Sequence, residues 1–128
     1  MLHVRIETIC FLIVKAHEFQ SQEQVVLPEV PEIPTEDWAL EALAEHSDDP
    51  CLNEVQEMLG EMNPRQRAEV IALMWLGRGD YDLDDWEAAV EDALEGYSER
   101  VAEYLLAHPM VANDLEEGLI QLGYSCEE

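Results

Sequence analysis

One stretch of the sequence, residues 63–80, constrains the fold more than any other part of the chain. Between Val70 and Leu76 it is apolar almost all round, which is typical of a helix that is buried on most sides. A helix of this kind needs neighbours on several faces, so the rest of the chain must be arranged around it. The sequence therefore predicts a compact bundle around a buried central helix at about residues 64–77.

Both ends of this central helix carry sequence signals. Asn63 is a favoured N-cap, Pro64 suits the first helical turn, and Gln66 completes a capping-box pattern. Gly77 and Gly79 offer left-handed conformations that would end the helix. These signals set the predicted bounds independently of the apolar pattern.

The charge of the chain is divided around this helix. Residues 63–80 hold three of the six basic residues and carry a net charge of +1, whereas the whole chain of 128 residues carries −24. The preceding arm has 14 acidic and 2 basic residues, and the following arm has 14 acidic and 1 basic residue. Charge repulsion therefore argues against direct binding to nucleic acid or to an anionic membrane.

The rest of the chain also reads as helical, with no confident strand. Apolar residues recur at helical spacing from Val4 to Phe19, and caps are predicted at Thr35, Asp49 and Asp84, the last in a capping box with Glu87. The proline-containing segment at about residues 20–34 has no helical period and is predicted to be an extended linker. The prediction is an all-α bundle of about six helices in a single domain, residues 1–128.

The cysteines and the first apolar run bear on the cellular compartment of the protein. Cys10, Cys51 and Cys126 are too few and too scattered for a disulfide framework, and an odd count suits a reducing cytoplasm. The apolar run at residues 9–14 is too short for a signal peptide or a membrane span. We expect a cytoplasmic protein whose first helix is buried.

Four segments of the sequence resemble a bacterial family known only as a domain of unknown function, DUF3775. They are TICFLIVKAHEF (8–19), ALMWLGRGD (72–80), AEYLL (102–106) and LEEGL (115–119). The most distinctive piece is Trp75 to Asp80, and the resemblance spans nearly the whole chain apart from the proline linker. It implies a small helical cytoplasmic protein, and it brings no activity, cofactor or catalytic residue.

The acidic turn after the central helix resembles a calcium-binding loop in part. Asp80, Asp82, Asp84 and Glu91 fall at positions 1, 3, 5 and 12 of a calcium loop, but Asp85 occupies the position that needs glycine. Helix capping and solvated charge are therefore favoured over calcium. No histidine or cysteine spacing specifies zinc, and no nucleophile motif is present, so no metal, cofactor or catalytic residue is predicted.

The residues that favour an interaction or ligand site are Arg65, Arg67, Trp75, Arg78 and Asp80. The three arginines are the only basic concentration in the sequence. As functional residues they would bind an anionic ligand or an acidic partner. As structural residues they would pair with the acidic arms, and this structural role is favoured. Trp75, on the apolar helix, is predicted to be the most buried of the three tryptophans.

Two functional hypotheses and one structural alternative follow. The first is a non-enzymatic protein whose acidic surface steers a basic protein partner, with mimicry of nucleic acid as a specific version. The second is an enzyme or small-ligand receptor with a pocket near Trp75 and the three arginines. The alternative is that the charge serves only solubility. The oligomeric state is left open.

Overall fold

The computed structural model describes residues 2–22, 30–31, 36–43, 49–96 and 101–126. Within these residues all regular structure is helical, which confirms the predicted all-α class. Seven α-helices are present there, together with a 3-10 turn at Leu83–Asp85: α1 (Ile6–Gln20), α2 (Glu36–Ala42), α3 (Pro50–Gly60), α4 (Pro64–Arg78), α5 (Trp86–Gly96), α6 (Val101–Leu106) and α7 (Val111–Gln121).

Helix α4 is the buried central helix that the apolar pattern predicts. Every residue from Ala68 to Leu76 is buried, and the helix packs against α5, α6 and α7, most extensively against α7. Helix α1 packs against α7 and also contacts α3, while α2 and α3 both pack on α6. One hydrophobic core therefore runs through the bundle, with α4 at its centre.

The predicted N-terminal capping signals of α4 are confirmed by the hydrogen bonds of the structure. The Asn63 side chain accepts a hydrogen bond from the Gln66 backbone N–H at 2.8 Å, and the Gln66 side chain accepts one from the Asn63 N–H at 3.0 Å. Pro64 occupies the first turn, where its missing N–H costs nothing. At the other end Gly79 has a positive φ of 90°, as the C-terminal signal predicts.

The prediction for Gly77 was wrong. Gly77 is helical and lies inside α4, where a Cβ atom would collide with the backbone carbonyl of Asp114 in α7. Gly118 of α7 faces the backbone of Leu73 in the same way. The two glycines let α4 and α7 approach backbone to backbone, so the requirement at Gly77 is for space rather than for a left-handed conformation.

The predicted start of α5 was also wrong. No capping box forms between Asp84 and Glu87, because Asp84 lies within the 3-10 turn and α5 begins at Trp86. This geometry buries Trp86, which is 4% exposed, more deeply than Trp75, which is 8% exposed. The expectation that Trp75 is the most buried tryptophan is therefore wrong as well, by a small margin.

Helix α1 extends to the first residue of the segment that was predicted as a linker. Gln20 is the last residue of α1, and its side-chain amide donates hydrogen bonds to the carbonyls of Leu106 at 3.1 Å and His108 at 2.8 Å. Most of the segment, like the predicted cap Thr35, lies outside the described residues.

Two of the three cysteines are oxidised, contrary to expectation. Cys10 in α1 and Cys126 after α7 form a disulfide, with Cα atoms 5.7 Å apart and a sequence separation of 116 positions. Cys51 is free, and burial raises the pKa of its thiol. The odd cysteine count therefore did not exclude a single disulfide, and the cytoplasmic location stays a prediction.

None of the helices in the described part of the chain is long and apolar enough to cross a membrane.

Candidate functional site

The structure keeps the three arginines apart. Arg65 lies in the first turn of α4 and Arg78 at its end, so their Cα atoms are about 20 Å apart at a rise of 1.5 Å per residue. Arg67 donates hydrogen bonds to backbone carbonyls at the end of α3, away from the partners of the other two arginines. The residues do not converge on one pocket.

Arg65 belongs to a network around a buried carboxylate, Glu69, that the sequence interpretation missed. Glu69 is fully buried and accepts hydrogen bonds from the backbone N–H groups of His3 at 2.7 Å and Val4 at 3.2 Å. Its other oxygen lies 3.3 Å from Arg65 Nε and 2.7 Å from His3 Nδ1. These bonds satisfy the buried charge and attach the start of the chain to α4. The i,i+4 spacing of Arg65 and Glu69 was the available sequence signal.

Arg67 satisfies the end of a helix. Its Nη1 donates to the carbonyl of Leu59, in the last turn of α3, at 3.2 Å and to that of Met62, just past the helix, at 2.6 Å. Helix C-termini leave carbonyl groups without intrahelical partners, and a cation there also interacts favourably with the helix dipole. Arg67 therefore connects α3 to α4.

Trp75 is a core residue with its polar atom satisfied. Its indole Nε1 donates to the Tyr104 hydroxyl at 3.1 Å, and its ring stacks on Tyr81 with centroids 5.5 Å apart. Burial of this ring stabilises the packing of α4 against α6 and leaves the side chain little contact with solvent.

Arg78 borders a cavity. Its Nε lies 3.7 Å from a carboxylate oxygen of Asp80. Together with Gly77, His108 and Asp114 it lines a cavity of about 340 Å³. Burial raises the pKa of Asp114 to about 6, although the charge of Arg78 opposes the shift. Burial also lowers the pKa of His108 to about 4, so His108 is neutral at pH 7.

His108 is 2% exposed and packs between two aromatic rings, those of Trp38 and Tyr104. Its Nδ1–H donates to the Tyr104 carbonyl at 2.7 Å. Its Nε2 has no hydrogen-bond partner among the described residues. The cavity thus combines a cation, a carboxyl group that titrates near pH 6 and a neutral imidazole.

The most strongly charged surface lies on the 3-10 turn and α5. Residues 80–96 contain eight carboxylates and no basic residue, and all eight side chains are exposed. We call this set the acidic face: Asp80, Asp82, Asp84, Asp85, Glu87, Glu91, Asp92 and Glu95. Glu87, Glu91 and Glu95 follow one another at i,i+4 spacing, an arrangement that destabilises a helix by about 0.2–0.5 kcal/mol per like-charged pair.

Few of these charges are compensated. In the part of the chain that the structure describes, Asp80 pairs with Arg78, Glu87 pairs with Arg65 at 3.2 Å, and Asp92 accepts a hydrogen bond from the Tyr81 hydroxyl. No cation of the described chain pairs with the remaining five carboxylates. The result is an exposed surface with a strong negative potential.

A groove lies beside the acidic face, between the start of α5 and the end of α7. It has a volume of about 370 Å³ and is lined by Leu83, Asp84, Trp86, Glu87, Gln121 and Leu122. Leu83 is 46% exposed although four aspartates flank it within three residues. Trp86 is almost completely buried, yet its indole Nε1 has no hydrogen-bond acceptor among the described residues.

The acidic turn does not present a metal centre. Among the described residues no three histidine, cysteine, aspartate or glutamate side chains are grouped so that they could hold a metal ion. The carboxylates of the acidic face are therefore dispersed over a surface rather than directed at a common point.

A comparison with known proteins identifies the family. No curated protein and no solved structure matches the chain. A family model described as "Protein of unknown function (DUF3775)" matches residues 52–124, from α3 to the end of the bundle. The segment at residues 8–19, to which the sequence resemblance also extended, lies outside this match. Because the match covers more than half of its length, the chain belongs to the DUF3775 family.

Proposed function

We propose that this protein acts without enzymatic chemistry, by binding a basic protein through the acidic face. The observation that carries the proposal is the set of eight exposed carboxylates on residues 80–96, six of which have no partner cation in the described chain. Like-charged residues at i,i+4 spacing repel one another and destabilise α5. This free-energy cost is offset when a partner protein brings cations to the acidic face.

The cations of the described chain are already engaged. Lys15 bridges Glu18 and Glu54, while Arg5, Arg65 and Arg78 each pair with a nearby carboxylate. Arg67 binds backbone carbonyls. The arginines therefore support the fold, and this favours a partner that brings positive charge over one that brings negative charge. A protein that binds nucleic acid is one such partner, and the acidic face would then imitate the phosphate charge.

The test is affinity capture from cell extract with a matched pair of variants. One variant neutralises four carboxylates of the acidic face: Asp82→Asn, Asp84→Asn, Glu91→Gln and Glu95→Gln. The control neutralises four exposed carboxylates on α3 and α7 or next to them: Glu57→Gln, Glu61→Gln, Glu116→Gln and Glu117→Gln. Both variants have the same net charge, so they differ only in where the charge was removed.

We expect the wild-type protein and the control to retain the same basic protein at low salt, and the acidic-face variant to lose it. Salt should elute the partner progressively, because screening weakens the attraction. Equal retention by both variants would show that the acidic face is not the binding surface. Absence of any retained protein at low salt would favour the solubility alternative.

The cavity beside Arg78 supports a second candidate function, the binding of a small carboxylic acid. Asp114 and His108 have oppositely shifted pKa values within one cavity, an arrangement that is concentrated at binding and catalytic sites. Arg78 contacts Asp80 only at the long distance of 3.7 Å, and in this candidate it would exchange that contact for the carboxylate of the ligand. NMR titration with small carboxylic acids tests this candidate: resonances of Asp114 and His108 should move in the wild type and remain fixed in Arg78→Gln.

A further inference from the structure

The groove beside the acidic face has a composition that surface charge alone does not explain. Three of its lining residues are apolar (Leu83, Trp86 and Leu122) and two are carboxylates (Asp84 and Glu87), which we call its rim. An apolar groove with an acidic rim complements a segment in which an apolar residue lies between basic residues. We propose that this groove binds one large apolar side chain of the basic partner, with a neighbouring lysine or arginine on Asp84. This proposal rests on the proposed function, because the same partner occupies both surfaces.

Leu83 supports this assignment. It lies within the sequence Asp80-Tyr81-Asp82-Leu83-Asp84-Asp85, where solubility favours polar residues, yet it is among the large apolar side chains left exposed in the described chain. Leu94, 37% exposed on α5, is a comparable exposed leucine that does not line the groove. Leu83 therefore differs from Leu94 in position rather than in chemistry, and the pair provides a matched comparison.

Trp86 provides an independent observation that points to a ligand. Its indole Nε1–H is buried without an acceptor among the described residues, and a buried donor that lacks a partner costs free energy. A peptide bound in the groove carries main-chain carbonyls, the acceptor that this N–H lacks, provided that a local rearrangement on binding opens the buried N–H to the groove. The bound segment thus supplies three matching groups: an apolar side chain, a cation and a carbonyl oxygen.

The two carboxylates at the rim of the groove differ in whether they already pair with a cation. Glu87 already pairs with Arg65 at 3.2 Å, whereas Asp84 pairs with no cation of the described chain. A basic residue of the partner is therefore expected on Asp84. Asp84→Asn should weaken binding of every basic segment, while Leu83→Ala should weaken only segments that carry the apolar residue.

The experiment uses two synthetic peptides with identical lysine and arginine positions, one with a central leucine and the other with alanine in its place. Their affinities for the full chain are measured by calorimetry at low salt. We expect the leucine peptide to bind about tenfold more tightly, the effect of removing most of one leucine side chain from water. Leu83→Ala should abolish this preference, and Leu94→Ala should retain it. The indole N–H resonance of Trp86, assigned with Trp86→Phe, should move with the leucine peptide.

The outcomes distinguish failure of the groove proposal from failure of the proposal that the acidic face binds a basic partner. If both peptides bind equally to the wild type, or if Leu83→Ala and Leu94→Ala retain the same preference, the groove proposal is overturned while the acidic face remains the binding surface. If neither peptide binds, the proposed function fails and the groove proposal fails with it. Because Leu83 is half exposed, its alanine variant is expected to fold, and its circular dichroism checks this.

Discussion

Gly118→Ala is the change that tests the architecture most sharply. A Cβ atom at Gly118 would lie 3.1 Å from the carbonyl carbon of Leu73 and 3.3 Å from its Cα, and nearer still to its oxygen. Carbon atoms in van der Waals contact lie about 3.5–4.0 Å apart. The obstacle is backbone rather than the end of a flexible side chain, so α7 must move away from α4.

The cost of this movement is substantial. A gap of about 0.5–1 Å forfeits a quarter to a half of the dispersion energy between the atoms that it separates. Overpacking a core typically costs about 1–3 kcal/mol, and we expect about 3 kcal/mol here because the interface is the most extensive one of the central helix. Gly77→Ala should cost at least as much, since its Cβ would lie 2.7 Å from the carbonyl carbon of Asp114.

The assay is urea unfolding followed by far-UV circular dichroism, with Gly60→Ala as the control. Gly60 ends α3, has no positive φ and has no neighbouring atom within 4 Å of a Cβ. Alanine there should raise the free energy of unfolding by up to about 1 kcal/mol through helix propensity. If Gly118→Ala were as stable as the wild type, α4 and α7 would not approach as closely as described.

Three further changes test separate contacts. Glu69→Gln removes the charge that binds Arg65, and it should lower the free energy of unfolding by about 1.5–3 kcal/mol; an unchanged thermal midpoint would contradict the network. Asp114 has a raised folded-state pKa, so its ionised form destabilises the fold progressively as the pH rises from about 4 to about 6. Asp114→Asn should therefore gain more stability at neutral pH than at about pH 4.5, by about 1 kcal/mol once partial exposure is discounted; a pH-independent gain would contradict this. Reduction of Cys10–Cys126 should lower stability by about 4–5 kcal/mol, because the loop is long. Cys10→Ser should abolish the response to reductant, and a response that persists would assign it to another cause.

Local features of the fold were predictable because their causes lie within a few residues. The capping box of Asn63 and Gln66, the left-handed Gly79 and the apolar surface of α4 each depend on neighbours in sequence. The remainder depends on contacts between distant segments. Glu69 meets His3 across 66 residues, and Gly77 is required by the backbone of Asp114, which becomes its neighbour only in the folded chain.

The candidate site also has one part that the sequence shows and another that only the folded chain shows. The acidic face is visible in sequence because its eight carboxylates fall within residues 80–96. The groove is not visible, because Trp86 begins α5 and Leu122 directly follows α7, and helix α6 lies between these two helices in the sequence. Clustering of Arg65, Arg67 and Arg78 in sequence suggested a common pocket, but residues spaced along a rigid helix point to different neighbours, and each arginine has its own partners.

The central claim is that the acidic face recognises a basic partner through charge, and the association rate tests it most directly. We would measure this rate by stopped flow with the leucine peptide, from about 10 to 500 mM salt, over which the screening length falls from about 30 Å to a few Å. The rate for the wild type should fall at least about tenfold, whereas the variant with four neutralised residues of the acidic face should start lower and change less. A wild-type rate that does not depend on salt, or an equal dependence in that variant, would contradict the claim.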